Sequence, residues 1–100
     1  MQTGEDQLEG VIARDWRAAV NRYATVHRLS PQELRLLLAA IAGESDKDAA
    51  AGLGCTRGTI GSYWQRIFAK TGQRPRAAVI AHVLRSTVTL DRVLAPALNI

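Results

Sequence analysis

Residues 54–72, GCTRGTIGSYWQRIFAKTG, combine a helical pattern with two glycines that oppose it. Large apolar residues recur at the i, i+4, i+7, i+8 spacing of a buried helical stripe: Ile60, Trp64, Ile67 and Phe68. Gly58 and Gly61 lie in the same run, and each glycine in a helix interior costs roughly 1 kcal/mol relative to alanine. A helix that gives up this stability on its outward face is expected to meet a closely approaching surface there.

Capping signals predict a helix just after residue 29. Ser30 is the expected N-cap, Pro31 fits the first helical position, and Glu33 completes a capping box with Ser30. Gly43 is expected to end this helix in a left-handed conformation.

The same signals predict three further helices. Ser45 caps a short alanine-rich helix that Gly52 or Gly54 closes, and Thr56 caps the glycine-bearing helix, which ends at Gly72. A last helix is expected to begin near Pro75 or Arg76, and the apolar tail that follows is interrupted by proline.

The N-terminal region predicts a long amphipathic helix over residues 5–27. Its apolar residues alternate between spacings of four and three, as in a short coiled-coil seam: Leu8, Ile12, Trp16, Ala19, Tyr23 and Val26. No segment alternates apolar and polar residues as a strand would. The expected fold is all-α, with a four-helix unit preceded by this long helix.

Charge is distributed unevenly along the chain. Residues 1–55 hold six Lys/Arg and eight Asp/Glu, whereas residues 56–85 hold six Lys/Arg and no acidic residue. An uninterrupted basic segment of this kind favours a polyanionic partner, and the alternative is a solvated basic face.

Other classes of function find little support. Cys55 is the single cysteine, and His27 and His82 lack further ligands at metal spacing, so no metal or cofactor is expected. No pair of carboxylates or nucleophile–base set indicates an enzyme. No apolar run approaches the roughly 20 residues that span a bilayer, and the N-terminus does not resemble a signal peptide, so the cytoplasm is the expected location.

A short helix, a tight glycine-bearing turn and a longer basic helix together indicate a helix-turn-helix, whose second helix enters the DNA major groove. With the apolar stripe inward, Gly58 and Ala69 face outward together with the candidate base-facing residues Gly61, Ser62 and Gln65. Gln65 is the expected principal reader, suited to the N6/N7 edge of adenine. The candidate phosphate contacts flank this strip or follow it: Arg57, Thr59, Tyr63, Arg66, Lys70, Arg74 and Arg76.

Residues 29–85 resemble the LuxR/GerE-type helix-turn-helix domain. The resemblance rests on the Leu-Ser-Pro-x-Glu opening, the Gly43–Ser45–Lys47 turn, the Thr59-Ile60 and Ile67-Phe68 pairs, Lys70, Gly72 and the Arg74-x-Arg76 step. It implies a four-helix fold with a scaffold helix over 46–53 and a recognition helix over 57–71. It also implies base contacts from the positions of Gly61, Ser62 and Gln65, phosphate contacts from Thr59 and near Lys70, and a homodimer through the last helix, roughly 75–85. The family usually has a longer polar or charged residue where Gly61 stands.

The combined prediction is a transcriptional regulator that binds double-stranded DNA as a homodimer and is nucleoid-associated when bound. Residues 1–28 are expected to form an N-terminal helix that either extends the dimer interface or braces the domain, 29–85 the DNA-binding domain and 86–100 a tail. No receiver or ligand-binding domain is expected before residue 29. Candidate dimer contacts lie on the first and last helices: Leu8, Ile12, Trp16, Tyr23, Val79, His82 and Val83.

Two alternatives stay open. One is a protein-interaction module that docks its bare helix on RNA polymerase or another regulator, since close helix packing also favours small residues. The other is a domain like the last helix-turn-helix region of a sigma factor, although the Leu29-Ser30-Pro31 opening favours the LuxR type.

Overall fold

The computed structural model describes residues 16–87, and the regular structure within this range is entirely helical. The first helix, α1, covers residues 16–26 of the described part. Four helices follow in chain order: α2 (Pro31–Ile41), α3 (Asp46–Leu53), α4 (Arg57–Thr71) and α5 (Arg76–Thr87). The all-α prediction is confirmed, and the predictions for Leu8, Ile12 and the tail from residue 88 lie outside the described residues.

Helix α2 begins with the predicted capping box. The Ser30 hydroxyl oxygen accepts a hydrogen bond from the backbone N–H of Glu33 at 3.1 Å, and the Glu33 carboxylate accepts one from the backbone N–H of Ser30 at 2.8 Å. Pro31 occupies the first turn, where its missing N–H leaves no intrahelical bond unmade. The helix is followed by Gly43 at φ +85°.

A tight turn joins α3 to α4. The side chains of Ser45 and Thr56 cap the two helices, each accepting a hydrogen bond from the backbone N–H three residues later, at 3.1 and 3.2 Å. Gly52 lies within α3, and Gly54 adopts the left-handed conformation, with φ +71°. Because side chains rarely tolerate this conformation, glycine at 54 allows the chain to reverse between the helices within a few residues.

Helix α4 is the centre of the domain and packs against α2, α3 and α5. Its predicted stripe is buried: Ile60 and Ile67 are fully covered, Trp64 is 2% exposed, and Phe68 is partly buried against the same core. The rest of the buried cluster comes from the other four helices: Val20, Tyr23, Leu36, Leu37, Ala39, Ala49, Ala50, Val79 and Val83.

Helix α1 is joined to α5 by a small aromatic cluster. The Tyr23 hydroxyl lies 2.8 Å from Nδ1 of His82, and the His27 ring lies 4.3 Å from the Tyr23 ring and 5.6 Å from the His82 ring. His27 and His82, far apart in the sequence, are therefore neighbours in the fold.

The predicted apolar seam of α1 differs in part from the side of the helix that the core buries. Val26 is 73% exposed, whereas Val20, which the predicted spacing omitted, is 1% exposed. The inward-facing side of α1 follows the 3.6-residue helical repeat through Trp16, Val20, Tyr23 and His27. Val26 lies to one side of the line that these residues form on the helix. The chain leaves the helix directly afterwards and turns at Arg28, whose φ is +58°.

The structure also changes the set of candidate dimer contacts. Tyr23 is 4% exposed, and Val79 and Val83 are fully buried, all within the core of one chain. These side chains are already removed from solvent, so they have almost no surface left to bury against a second copy. Trp16 packs partly buried against the same core, and His82 is half-buried.

The α1–α5 contact predicts a pH-dependent stability. Burial of the His82 ring, and then the positive charges of His27 and Arg85, lower the pKa of His82 below its ordinary value. The unfolded chain therefore takes up this proton at a higher pH than the folded chain, so the free energy of unfolding decreases as pH falls from about 6.5 through the folded pKa. His82→Asn, which keeps a polar group near Nδ1 and does not titrate, should reduce this dependence in urea denaturation. Equal pH dependence in the two proteins would contradict the assignment to His82.

Candidate nucleic-acid interface

The exposed side of α4 has a strip of mostly small residues, bordered by the exposed side chains of Arg57 and Arg66. The strip consists of the residues that the sequence predicted to face outward, of which Gly58, Ser62, Gln65 and Ala69 are exposed and Gly61 is half-buried. Nothing lies within 4 Å of the position that a Cβ at Gly61 would take, and a Cβ at Gly58 would meet only the Thr56 hydroxyl, at 3.7 Å. The packing of the domain therefore does not require either glycine.

Two side chains supply the polar groups on this bare surface. The Ser62 hydroxyl donates a hydrogen bond to the carbonyl of Gly58 at 3.3 Å, which leaves its lone pairs available to an outside donor. Gln65, one turn further on, is exposed, and its Oε1 accepts a hydrogen bond from Nη2 of Arg74 at 3.0 Å.

The predicted phosphate contacts on α4 that precede Lys70 are accessible in different degrees. Arg57 and Arg66 are exposed, and within residues 16–87 neither makes an ion pair. The guanidinium of Arg66 lies 5.9 Å from the ring centre of the half-buried Tyr63. The hydroxyl of Thr59 lies 3.1 Å from that of Thr56, so it also belongs to the helix cap.

Lys70 has a structural partner that local sequence patterns did not reveal. Its Nζ lies 2.6 Å from Oε1 of Glu33, whose side chain is 2% exposed, whereas the Lys70 side chain is 36% exposed. Burial alone would raise the pKa of Glu33, but the hydrogen bonds from Lys70 and Ser30 and the charge of Lys70 outweigh it and hold that pKa below its ordinary value. The cation of Lys70 therefore serves first to neutralise a buried carboxylate.

Arg74 and Arg76 follow α4 and are also engaged within the chain. Arg76 Nη1 lies 2.7 Å from Oδ1 of Asp46 at the start of α3, and its guanidinium lies 5.0 Å from the ring centre of Trp64. Arg74, bonded to Gln65, lies 5.2 Å from the ring centre of Phe68. No local pattern in the sequence pointed to these partners, because each lies on a different part of the chain from its arginine.

Both arginines are nevertheless exposed. The pair of Arg76 with Asp46 is half-exposed on both sides, so solvent screens it and a phosphate competes for the same guanidinium. The exposed surface of α4 and the loop after it thus brings together the three base-facing candidates and most of the predicted cations. Lys70 is set apart from these cations by its buried partner.

The described residues form neither a metal-binding cluster nor a membrane-spanning helix. Among the described residues, no group of three or more His, Cys, Asp and Glu side chains is arranged to hold a metal ion. None of the helices between residues 16 and 87 has the length and apolar character needed to cross a membrane.

Comparison with known proteins agrees with this geometry. Residues 27–83 match the family described as "Bacterial regulatory proteins, luxR family", also named GerE. The match covers more than half of the chain, and the chain belongs to this family of DNA-binding transcriptional regulators. No curated protein and no solved structure has a significant match to it.

The buried partner of Lys70 predicts a difference between two cations on the same helix. Lys70→Met should lower the free energy of unfolding by about 1–3 kcal/mol, because the buried Glu33 carboxylate loses its charged donor. Arg66→Met, which removes an exposed cation, should change it by less than about 0.5 kcal/mol. Urea denaturation of both variants measures the difference.

The double variant Lys70→Met/Glu33→Gln is the control for this assignment. A neutral glutamine still accepts the Ser30 N–H and needs no cation, so part of the lost stability should return. Equal destabilisation by Lys70→Met and Arg66→Met would show that the pair with Glu33 contributes nothing.

Proposed function

We propose that this LuxR-family chain acts in the bacterial cytoplasm as a homodimer and inserts α4 into the major groove of double-stranded DNA. The observation that carries the proposal is the exposed side of α4, which is bare at its centre and bordered by exposed cations. Gly61 and Ala69 leave the helix backbone close to the surface, and Arg57 and Arg66 flank it. A groove about 12 Å wide admits an α-helix, and a helix with small outward residues enters it more deeply.

The cations and the uncharged polar side chains have different roles in binding. Phosphate contacts fix the position of the protein on the duplex without reading sequence, and we assign them to Arg57, Arg66 and Arg76, with Thr59 and Tyr63 beside them. Base contacts are left to Ser62 and Gln65, because they are the polar groups on the bare surface. Lys70 contributes less than its position suggests, since its charge is balanced by Glu33.

The homodimer is assigned to the outer side of α5. Ala77, Ile80, Ala81 and Leu84 recur at helical spacing opposite the buried Val79 and Val83. Leu84 is 50% exposed, which is high for a large apolar side chain. Two copies joined through this stripe would present two α4 helices to successive turns of one duplex face.

Gly61 provides the test of groove insertion. Gly61→Phe should fold, because a Cβ at this position meets nothing within 4 Å and residue 61 lies on the outward side of α4, but it should weaken binding to duplex DNA at least about tenfold by holding the helix away from the groove. Gly61→Ala is the matched control, expected to raise stability by about 0.5–1 kcal/mol and to keep most of the affinity. Fluorescence anisotropy with labelled duplexes at two salt concentrations measures these affinities.

Arg66→Ala serves as the phosphate control in the same titrations. It should weaken binding to every duplex by the same factor and reduce the slope of log affinity against log salt by about 0.9. If Gly61→Phe bound as tightly as the wild-type chain, α4 would not enter the groove. If the wild-type chain bound no duplex even at low salt, the protein-docking alternative, on RNA polymerase or another regulator, would replace DNA binding.

A charge placed on α5 tests the dimer. Leu84→Glu should shift the chain towards monomer in sedimentation equilibrium, because the new carboxylate has to be desolvated in the interface. Val26→Glu is a matched control on α1, where Val26 is 73% exposed. A monomer produced by Val26→Glu and not by Leu84→Glu would move the interface to the first helix.

A further inference from the structure

Gln65 and Arg74 form one unit on the surface of the domain. They are nine residues apart, yet Nη2 of Arg74 donates a hydrogen bond to Oε1 of Gln65 at 3.0 Å. Gly72, with φ +70°, caps the end of helix α4, and the reversed chain brings Arg74 back beside α4. The guanidinium lies 5.2 Å from the ring centre of Phe68, so a cation–π contact supports it from below.

This pairing changes what Gln65 offers to a base. An unpaired glutamine presents one acceptor and one donor side by side, which suits the N6 donor and N7 acceptor of adenine. Here the acceptor oxygen is engaged by a cation, while both N–H groups of the Gln65 amide remain. The other N–H groups of the Arg74 guanidinium add further donors, so the unit presents donors together with a positive charge.

The remaining lone pair of Oε1 does not restore the preference for adenine. An adenine amino group that donated to it would lie next to the guanidinium, and both carry positive partial or full charge. Guanine instead offers two acceptors, O6 and N7, and no donor on its major-groove edge. The electrostatics and the hydrogen-bond pattern therefore favour the same base.

We infer that Gln65 and Arg74 together read a guanine in the major groove, with Arg74 acting as a specificity-determining residue. The inference rests on the proposed insertion of α4 into DNA and deepens it by naming the base. It also replaces the expectation that Gln65 alone reads adenine. The bare positions at Gly61 and Ala69 leave this unit as the largest polar group on the exposed side of α4.

The experiment is selection of duplexes from a random pool by the full chain, by Gln65→Ala and by Arg74→Ala. The base pair whose selection changes with Gln65→Ala marks the position that is read. The wild-type chain should favour guanine there by about tenfold or more over adenine, measured with two duplexes that differ at this pair. Arg74→Ala should remove that preference and shift it towards adenine, because Gln65 regains its free acceptor.

Arg57→Ala is the matched control, because it removes an exposed arginine from the other end of α4. It should weaken both duplexes by the same factor and leave the preference for guanine unchanged. Adenine selected by the wild-type chain, or a preference for guanine that survives Arg74→Ala, would overturn the inference. Binding without any selected base at this position would also overturn it, and these results would leave DNA binding itself intact. Failure of the wild-type chain to bind any duplex would refute the proposed function as well.

Discussion

The buried carboxylate of Glu33 is the group on which the arrangement of α2 and α4 depends. It closes the capping box at the start of α2 through Ser30, and it receives the Lys70 ammonium near the end of α4. A carboxylate that is 2% exposed cannot keep its charge without such donors, because the cost of removing it from water is several kcal/mol. One side chain therefore fixes both the start of α2 and the place where the end of α4 lies against it.

A second ion pair, between Arg76 and Asp46, orients helix α5. Arg76 connects the start of α5 to Asp46 at the start of α3, while its guanidinium lies over the buried Trp64. The pair with Asp46 is half-exposed, so it adds little to the free energy of unfolding. Its main effect is to fix the direction in which α5 leaves the loop. The stronger attachment is the apolar one, since Val79 and Val83 are fully buried in the core. Phosphate can then compete for Arg76 without loosening α5.

Local sequence signals predicted the helices but not the partners of their charged side chains. Ser30, Ser45 and Thr56 cap the helices as expected, because a cap depends on residues only three positions away. The interpretation of Glu33 as a capping residue was confirmed but incomplete, because its contact with Lys70 spans 37 positions of the chain. Val26, which the predicted seam of α1 included, is 73% exposed and Val20 is buried instead, because a spacing of three or four fits two neighbouring lines on a helix and only packing chooses between them. The roles of the base-facing residues stay predictions.

The two sides of α4 have different roles, and this difference explains its glycines. The buried side provides the stability, with Ile60 and Ile67 fully covered and Trp64 nearly so, and the outer side contributes no packing that a Cβ at Gly61 would disturb. The domain can therefore accept roughly 1 kcal/mol of lost helix propensity per glycine. As a result, the centre of the outer surface has few side chains, and its polar groups are Ser62 and the paired Gln65 and Arg74. Selectivity in such a surface depends on how these few groups are held, because the exposed arginines beside them, Arg57 and Arg66, are assigned to phosphates, and phosphate contacts carry no sequence information.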